Sequence, residues 1–156
     1  MADANVQSAV REKFGALASS VETAPRTIVF ACVHNAGRSQ MAAAFFNQLA
    51  DAGKARAISA GTDPGSRVHP EVAAAMRDVD VDLSAAVPRR LTPEMAHGAA
   101  WLITMGCGES CPVVPGARRE DWPLEDPKGQ PPERVRRIRD EIRQRVEQFV
   151  VREGLR

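Results

Sequence analysis

Residues 27–39 read T-I-V-F-A-C-V-H-N-A-G-R-S, and they predict a strand, a short loop and the start of a helix. Its first five residues are mostly β-branched or aromatic, which predicts a buried strand. A helix is predicted from Ser39 to about Ala52, with Gly53 as its stop. A strand that passes through a short loop into a helix is the unit from which parallel sheets are built. We therefore expect Cys32 at the carboxyl end of a strand, where such sheets bind their ligands.

The same alternation of strands and helices continues along the chain. Residues 57–60 and 99–105 are predicted strands, because both are short apolar runs next to turn residues. Residues 69–79 are predicted to be helical, and Thr92 opens a further short helix with proline in its first turn. A long amphipathic helix is predicted from about Glu133 to Arg152. Its apolar stripe consists of Val135, Ile138, Ile142, Val146 and Phe149.

The beginning of the chain has a different pattern. Residues 5–21 carry apolar side chains three or four positions apart, which predicts an amphipathic helix. We therefore expect residues 1–25 to form an N-terminal helical extension and residues 26–156 to form one α/β domain. Those apolar positions are Val6, Val10, Phe14, Leu17 and Val21.

Composition limits the classes of function. The chain has 156 residues, 44% of them hydrophobic and 26% charged, with a net charge of +1. This balance gives no reason to expect a nucleic acid or an anionic membrane as partner. No run approaches the ~18 apolar residues of a membrane helix, and the start does not resemble a signal peptide. A cytoplasmic location follows as an expectation. Three cysteines are too few for a disulfide framework, so each is either a buried structural residue or a reactive thiol.

The loop after the first strand has the features of an anion site. Successive backbone N–H groups in such a turn form a nest, and the following helix adds the positive end of its dipole. Arg38 offers a planar fork that matches two oxygens of a tetrahedral oxyanion. The same field favours the thiolate of Cys32, the nucleophilic form of cysteine. The predicted oxyanion-binding residues are Val33, His34, Asn35, Ala36, Gly37, Arg38 and Ser39.

Three side chains of this loop have predicted supporting tasks. Gly37 is expected to supply the positive φ of a tight turn, Ser39 to hydrogen-bond the sulfur of Cys32, and Asn35 to tie the loop to itself. The simpler alternative is a buried cysteine at the end of a strand, without chemistry. His69 and His97 are predicted to be surface residues.

The sequence C-V-H-N-A-G-R-S-Q-M-A at 32–42 resembles the phosphate loop of the thioredoxin-coupled arsenate reductases, which share a fold with the low-molecular-weight tyrosine phosphatases. The resemblance spans about residues 26–150 and implies a three-layer α/β/α domain around a central parallel four-stranded sheet. His34 stands where the family has glycine. Ala43 and Arg89 stand where carboxylates of its potassium site are expected, so no metal is predicted. The match continues in I-S-A-G (58–61), E-V-A-A-A-M-R-D-V-D-V-D-L-S (71–84), L-I-T-M-G-C-G (102–108), C-P-V-V-P-G (111–116), E-D-W-P-L-E-D-P-K-G (120–129) and R-R-I-R-D-E-I (136–142).

The resemblance also implies the chemistry. Asp126 becomes the general acid, although Asp121 and Glu125 are nearby substitutes. Cys107 becomes a second nucleophile and Cys111 the resolving thiol; two incidental thiols, or a zinc pair without further ligands, are the alternatives. The expected reaction converts arsenate to arsenite without a cofactor. Thioredoxin or a small-thiol system would act as reductant, and phosphate and sulfate as competing oxyanions. The other readings are a tyrosine phosphatase, a mycothiol-dependent reductase and a binding module.

Overall fold

The computed structural model describes residues 24–106 and 116–156. The predicted N-terminal helix and the two thiols Cys107 and Cys111 lie outside these residues. The described residues form four strands and four helices. In chain order these are β1 (Arg26–Cys32), α1 (Arg38–Leu49), β2 (Ala55–Gly61), α2 (Pro70–Arg77), α3 (Pro93–His97), β3 (Trp101–Thr104), β4 (Arg118–Asp121) and α4 (Pro132–Arg152).

The strands form one parallel sheet in the order β2-β1-β3-β4, which confirms the predicted architecture. The register aligns the carboxyl ends of the strands. Cys32 pairs with Gly61 on one side of β1, and Ala31 pairs with Thr104 on the other. Thr104 in turn pairs with Asp121 of β4. The chain therefore leaves the strands at a single edge of the sheet.

The main core lies on one face of the sheet, under helices α1, α2 and α4. All five apolar positions predicted for α4 are buried there. Burial of each such side chain contributes roughly 1.5–3 kcal/mol to folding. Phe149 lies near the centre of this core, with its ring 6.2 Å from Phe46 and 6.1 Å from Trp122, centroid to centroid. A smaller cluster on the opposite face includes Leu91 and Ala99, which flank the short helix α3.

Strand β4 was not predicted, because its sequence R-R-E-D has neither an apolar run nor an alternation. It forms at the edge of the sheet, where polar side chains can face water. Arg152 of α4 donates hydrogen bonds to Glu120, the shorter of them 2.6 Å. The guanidinium of Arg118 lies 5.6 Å from the ring of Trp101. Contacts with the neighbouring helix and strand, and not local propensity, therefore hold β4 in place.

The predicted helix boundaries differ from the structure by a few residues. Helix α1 ends at Leu49, because Ala50 is already extended, and β2 begins at Ala55. Thr92 caps α3 as predicted, its hydroxyl accepting a hydrogen bond from the backbone N–H of Met95. Among the described helices, none has the length and the apolar run required to cross a bilayer.

Candidate active site

The anion loop, residues 32–39, connects β1 to α1 at the edge where the strands end. Cys32 is buried, with only 2% of its surface exposed. Its sulfur lies 2.9 Å from the hydroxyl oxygen of Ser39, as the sequence predicted. The nucleophile candidate thus sits at the bottom of the loop, against the first turn of the helix.

Asn35 holds this loop together, as predicted, and is fully buried. Its amide oxygen accepts hydrogen bonds from the backbone N–H of Arg89 at 3.0 Å and from Gln40 Nε2 at 3.2 Å. Its amide nitrogen donates to Ser39 Oγ at 2.7 Å. Because the N–H of Arg89 can only donate, the orientation of the amide is fixed. A buried side chain with this many partners makes the loop rigid.

The expected positive φ at Gly37 is wrong: its φ is −144°. Asn35 adopts the left-handed conformation instead, with φ of 50°, which asparagine tolerates better than most residues. Gly37 is required for a different reason. A Cβ there would lie 3.0 Å from Pro127 Cγ and 3.6 Å from His69 Cδ2. The missing side chain lets two other segments pack directly on the anion loop.

Gly61 allows a second close approach, from below the loop. A Cβ on Gly61 would lie 2.5 Å from the carbonyl oxygen of Val33 and 2.9 Å from the backbone nitrogen of Asn35. Both are backbone atoms that cannot rotate away. The last residue of the motif I-S-A-G is therefore required to be glycine, because any side chain would collide with the anion loop. The resemblance alone did not explain this requirement.

Arg38 reaches across the mouth of the site although its side chain is nearly buried. One guanidinium nitrogen donates to the carbonyl oxygen of Leu124 at 3.1 Å, and the other lies 3.9 Å from Asp126 Oδ2. Gly106, with φ of 87°, packs against the same guanidinium, and a Cβ there would clash with it. These contacts hold the fork of Arg38 in one orientation, as bidentate recognition of an oxyanion requires.

The predicted acid, Asp126, lies on a segment that we name the acid loop, residues 124–130. Its side chain is 48% exposed, and its Oδ1 accepts a hydrogen bond from the backbone N–H of Lys128 at 3.0 Å. The two substitutes have other partners: Asp121 lies 3.5 Å from Arg119 and Glu125 lies 2.7 Å from Arg134. The geometry thus favours Asp126, which alone of the three lies beside Arg38.

His69 is a neighbour of the site that the sequence did not single out. It was predicted to lie at the surface, but it is half-buried, whereas His97 is exposed as expected. The backbone N–H of His69 donates to the carbonyl oxygen of Ala36 at 2.9 Å. Burial lowers the pKa of His69, while the carboxylates of Glu71 and Asp126 act in the opposite direction. Its position just before a proline-initiated helix was the available signal.

Ala43 and Arg89, which stand where the resemblance implies carboxylates of a potassium site, line one open cleft. Its volume is about 420 Å³, and its lining includes Gln40, Ala43, Ser59 and Arg89. A guanidinium and a methyl group thus stand where carboxylates were expected. His34 does not disturb the loop by replacing glycine; its Nδ1 lies 2.9 Å from the carbonyl oxygen of Asp63.

The model of one protein family, low molecular weight phosphotyrosine protein phosphatase, matches residues 27–155. The chain belongs to this family. Within the low molecular weight phosphatase family, its similar relatives include reductases. A glutaredoxin arsenate reductase of Synechocystis sp. is 36% identical over 130 residues, which are 81% of this chain and 98% of the relative.

Solved structures of this family superpose on the chain. The thioredoxin-dependent arsenate reductase of Corynebacterium glutamicum does so with a TM-score of 0.70 and 34% identity, over 89% of this chain and 68% of that one. A low molecular weight protein tyrosine phosphatase from T. tengcongensis gives a TM-score of 0.74 at 23% identity, over 82% and 99% of the two chains. The second similarity concerns the fold alone.

Proposed function

We propose that this protein is an arsenate reductase that converts arsenate to arsenite with Cys32 as nucleophile. One observation carries the proposal: Cys32 and Arg38 lie in the anion loop at the end of the central strand, and Asp126 of the acid loop lies beside Arg38. The thiol has a hydroxyl at 2.9 Å, and the guanidinium has a carboxylate at 3.9 Å. Nucleophile, anion fork and acid are the groups needed to displace an oxygen from a tetrahedral oxyanion.

In the first step, the Cys32 thiolate attacks arsenic and forms a sulfur–arsenic bond. One arsenic–oxygen bond breaks, and Asp126 supplies the proton with which that oxygen leaves as water. The N–H groups of the anion loop and the fork of Arg38 hold the other oxygens. Arsenic remains pentavalent at this stage, so a second thiol is needed for reduction.

The second step uses the thiols implied by the family resemblance. Cys107 attacks the sulfur of Cys32, a disulfide forms, and the sulfur–arsenic electron pair stays on arsenic, which leaves as trivalent arsenite. Cys111 then attacks Cys107 and releases the Cys32 thiolate, so the product is a Cys107–Cys111 disulfide. Exchange of this kind proceeds through thiolate attack on a disulfide sulfur.

The partner is a thiol reductant, because each turnover leaves one disulfide to be reduced. Thioredoxin is our first choice, since the similar Corynebacterium protein is thioredoxin-dependent. A glutaredoxin or small-thiol system is the second, in view of the Synechocystis relative. We place the reaction in the cytoplasm, where thiols are kept reduced. Phosphate and sulfate should compete with arsenate for the same loop.

An arsenate-dependent turnover assay with thioredoxin, thioredoxin reductase and NADPH tests the proposal. We expect multiple turnovers in the wild type and a Cys32–Cys107 disulfide after one turnover in Cys111→Ser, identified by peptide mapping. Cys107→Ser should release no arsenite unless a small thiol substitutes. Full activity of Cys107→Ser with thioredoxin as the only reductant would refute the relay.

A phosphatase is the second candidate, because the family match and the anion loop suit a phosphate ester equally well. Gln40 argues against it, because the resemblance to phosphatases of this fold implies proline at this position. Here Gln40 Nε2 donates to the backbone and side-chain oxygens of Asn35, at 3.1 and 3.2 Å. Proline could make neither bond. Hydrolysis of an aryl phosphate that exceeds arsenate turnover would favour the phosphatase.

A further inference from the structure

The first turn of α2 contacts both halves of the proposed active site. On one side, the backbone N–H of His69, just before the helix, donates to the carbonyl oxygen of Ala36 in the anion loop at 2.9 Å. On the other side, Glu71 Oε1 accepts a hydrogen bond from the backbone N–H of Gly129 in the acid loop at 3.2 Å. His69 and Glu71 are two positions apart in sequence, and their contacts connect the anion loop to the acid loop.

The acid loop depends on such anchors, because Asp126 has few of its own. Its carboxylate lies 3.9 Å from Arg38, which is too long for a hydrogen bond. Its remaining contact, with the N–H of Lys128, is internal to the loop. The position of Asp126 relative to Cys32 is therefore set by where the backbone of the loop is held.

That backbone is held on both sides of Asp126. Upstream, the carbonyl oxygen of Leu124 accepts from Arg38 at 3.1 Å. Immediately downstream, Pro127 is buried against Gly37. Beyond Pro127, the chain turns at Gly129, whose φ is 71°, and there Glu71 binds it. Apart from this contact, the exposed turn 128–130 has one backbone–backbone hydrogen bond, from the N–H of Gln130 to the carbonyl oxygen of Pro127 at 3.1 Å, before α4 begins.

We propose that Glu71 is a positioning residue for the acid loop: by binding the N–H of Gly129 it fixes Asp126 beside Arg38. This inference rests on the proposed function, in which Asp126 protonates the departing oxygen. A general acid must lie within about 2.6–3.2 Å of its target. A displacement of about 1 Å can cost roughly a hundredfold in rate. A single loop contact can therefore change the rate without changing how arsenate binds.

A simpler role for Glu71 is to stabilise α2. It lies in the first turn of the helix, where a negative charge interacts favourably with the dipole. The two roles predict different results for Glu71→Gln. Glutamine keeps an oxygen that can accept from Gly129 but loses the charge, whereas alanine loses both. If Glu71 acts through its charge, Gln and Ala should behave alike; if it acts through the hydrogen bond, Gln should rescue the loss.

The kinetic test measures kcat and KM for arsenate in Glu71→Ala, Glu71→Gln and Asp126→Asn, and in the double variant Glu71→Ala/Asp126→Asn. Glu94→Ala is the matched control, a glutamate in the first turn of α3 and far from the acid loop in sequence. We expect kcat of Glu71→Ala to fall about tenfold with little change in KM, and Glu71→Gln to stay near the wild type. In the Asp126→Asn background, Glu71→Ala should cost nothing further.

A readout independent of turnover is the hydrogen exchange of the Gly129 amide, measured by NMR. It should be slow in the wild type and Glu71→Gln, and fast in Glu71→Ala. Additive losses in the double variant, equal defects in Gln and Ala, or fast exchange without any loss of rate would each overturn the positioning role. If the wild type itself does not reduce arsenate, the proposed function fails. The Gly129 amide then decides alone whether Glu71 holds the loop.

Discussion

The hydroxyl oxygen of Ser39 lies 2.9 Å from the sulfur of Cys32. A third residue limits where the hydrogen of this hydroxyl can go. Asn35 Nδ2 already donates to Ser39 Oγ at 2.7 Å, and the orientation of that amide is set by the N–H of Arg89 on its oxygen. The hydroxyl hydrogen of Ser39 is therefore directed away from Asn35. When Cys32 is a thiolate it has no hydrogen of its own, so the hydroxyl is then the donor of this contact.

Ser39→Ala should slow the alkylation of Cys32 by iodoacetamide. The variant loses a hydrogen bond to a charged group, which is worth about 1.5–3 kcal/mol, so we expect a decrease of roughly tenfold or more at neutral pH. Ser66→Ala, at an exposed position, serves as control and should react like the wild type. Equal rates in both variants would show that Ser39 does not favour the thiolate.

Arg38→Lys should impair the use of arsenate although the positive charge remains. Lysine lacks the planar fork, and it cannot bind an oxyanion in two places while donating to Leu124. Loss of one or two charge-assisted hydrogen bonds should lower kcat/KM roughly tenfold to a hundredfold. Competition by phosphate should weaken in parallel, which a titration of the remaining activity would reveal. Unchanged kcat/KM for arsenate would contradict the role of Arg38 in binding the oxyanion.

Gly61→Ala should distort the anion loop. Its Cβ would lie 2.5 Å from a carbonyl oxygen of the loop backbone, so the strand and the loop must separate, at a cost of roughly 1–3 kcal/mol. Urea unfolding and arsenate turnover should both show the effect. Gly65→Ala is the control, because the nearest atom would be 3.8 Å away. A Gly61→Ala protein as stable and active as the control would contradict this account of the close approach.

Acid should weaken the attachment of β4 to α4. The hydrogen bond from Arg152, followed by that from Trp122, lowers the pKa of Glu120 below its ordinary 4.5. A lowered pKa contributes stability that is present above the unfolded value and is lost as the pH falls through the folded one. The effect should be about 1 kcal/mol or less, since the pair is partly exposed.

Glu120→Gln should therefore lower the free energy of unfolding near neutral pH and leave it less dependent on pH below about 4.5. Urea midpoints measured across this range would show the change. Glu147→Gln, in an exposed pair with Arg143 on the same helix, is the control and should follow the wild type. Parallel curves for Glu120→Gln and the wild type would indicate that the pair contributes nothing.

Deleting residues 1–22 should leave the reaction mechanism intact, because the hydrogen bonds described for the anion loop and the acid loop join residues beyond position 24. We expect kcat and KM for arsenate to stay within about twofold, with any loss confined to stability. The truncated protein would be compared with the full chain by thermal unfolding and turnover. A folded but inactive truncation would assign the extension a role in the site.

The sequence predicted the elements whose stability is encoded locally. The β-branched run of β1 and the five-residue stripe of α4 specify one buried face each, so both were located within a few residues. Strand β4 was missed because its four charged residues carry no such pattern. It exists through pairing with β3 and through the contact of Glu120 with Arg152, and these residues are distant in sequence.

The active site shows the same division. Residues of the same short loop, such as Cys32 and Ser39, were paired correctly, because the loop brings the end of the strand against the start of the helix. The positive φ expected at Gly37 is found at Asn35 instead. What Gly37 provides is room for Pro127 and His69. These residues are distant in sequence, and no local pattern reveals that contact.

Phe149 lies in α4, which follows every other described element of the domain, and this order has a consequence during synthesis. Chains emerge from the ribosome N-terminus first, so Cys32 and Arg38 appear well before the carbonyl of Leu124 that orients the guanidinium and the aromatic ring that closes the core. A nascent chain therefore carries the thiol but not the finished oxyanion pocket. Arsenate turnover should begin only after α4 has been synthesised and has packed against the sheet. Polypeptides that terminate before this helix would expose an apolar sheet face to chaperones and proteases. They would not reduce arsenate.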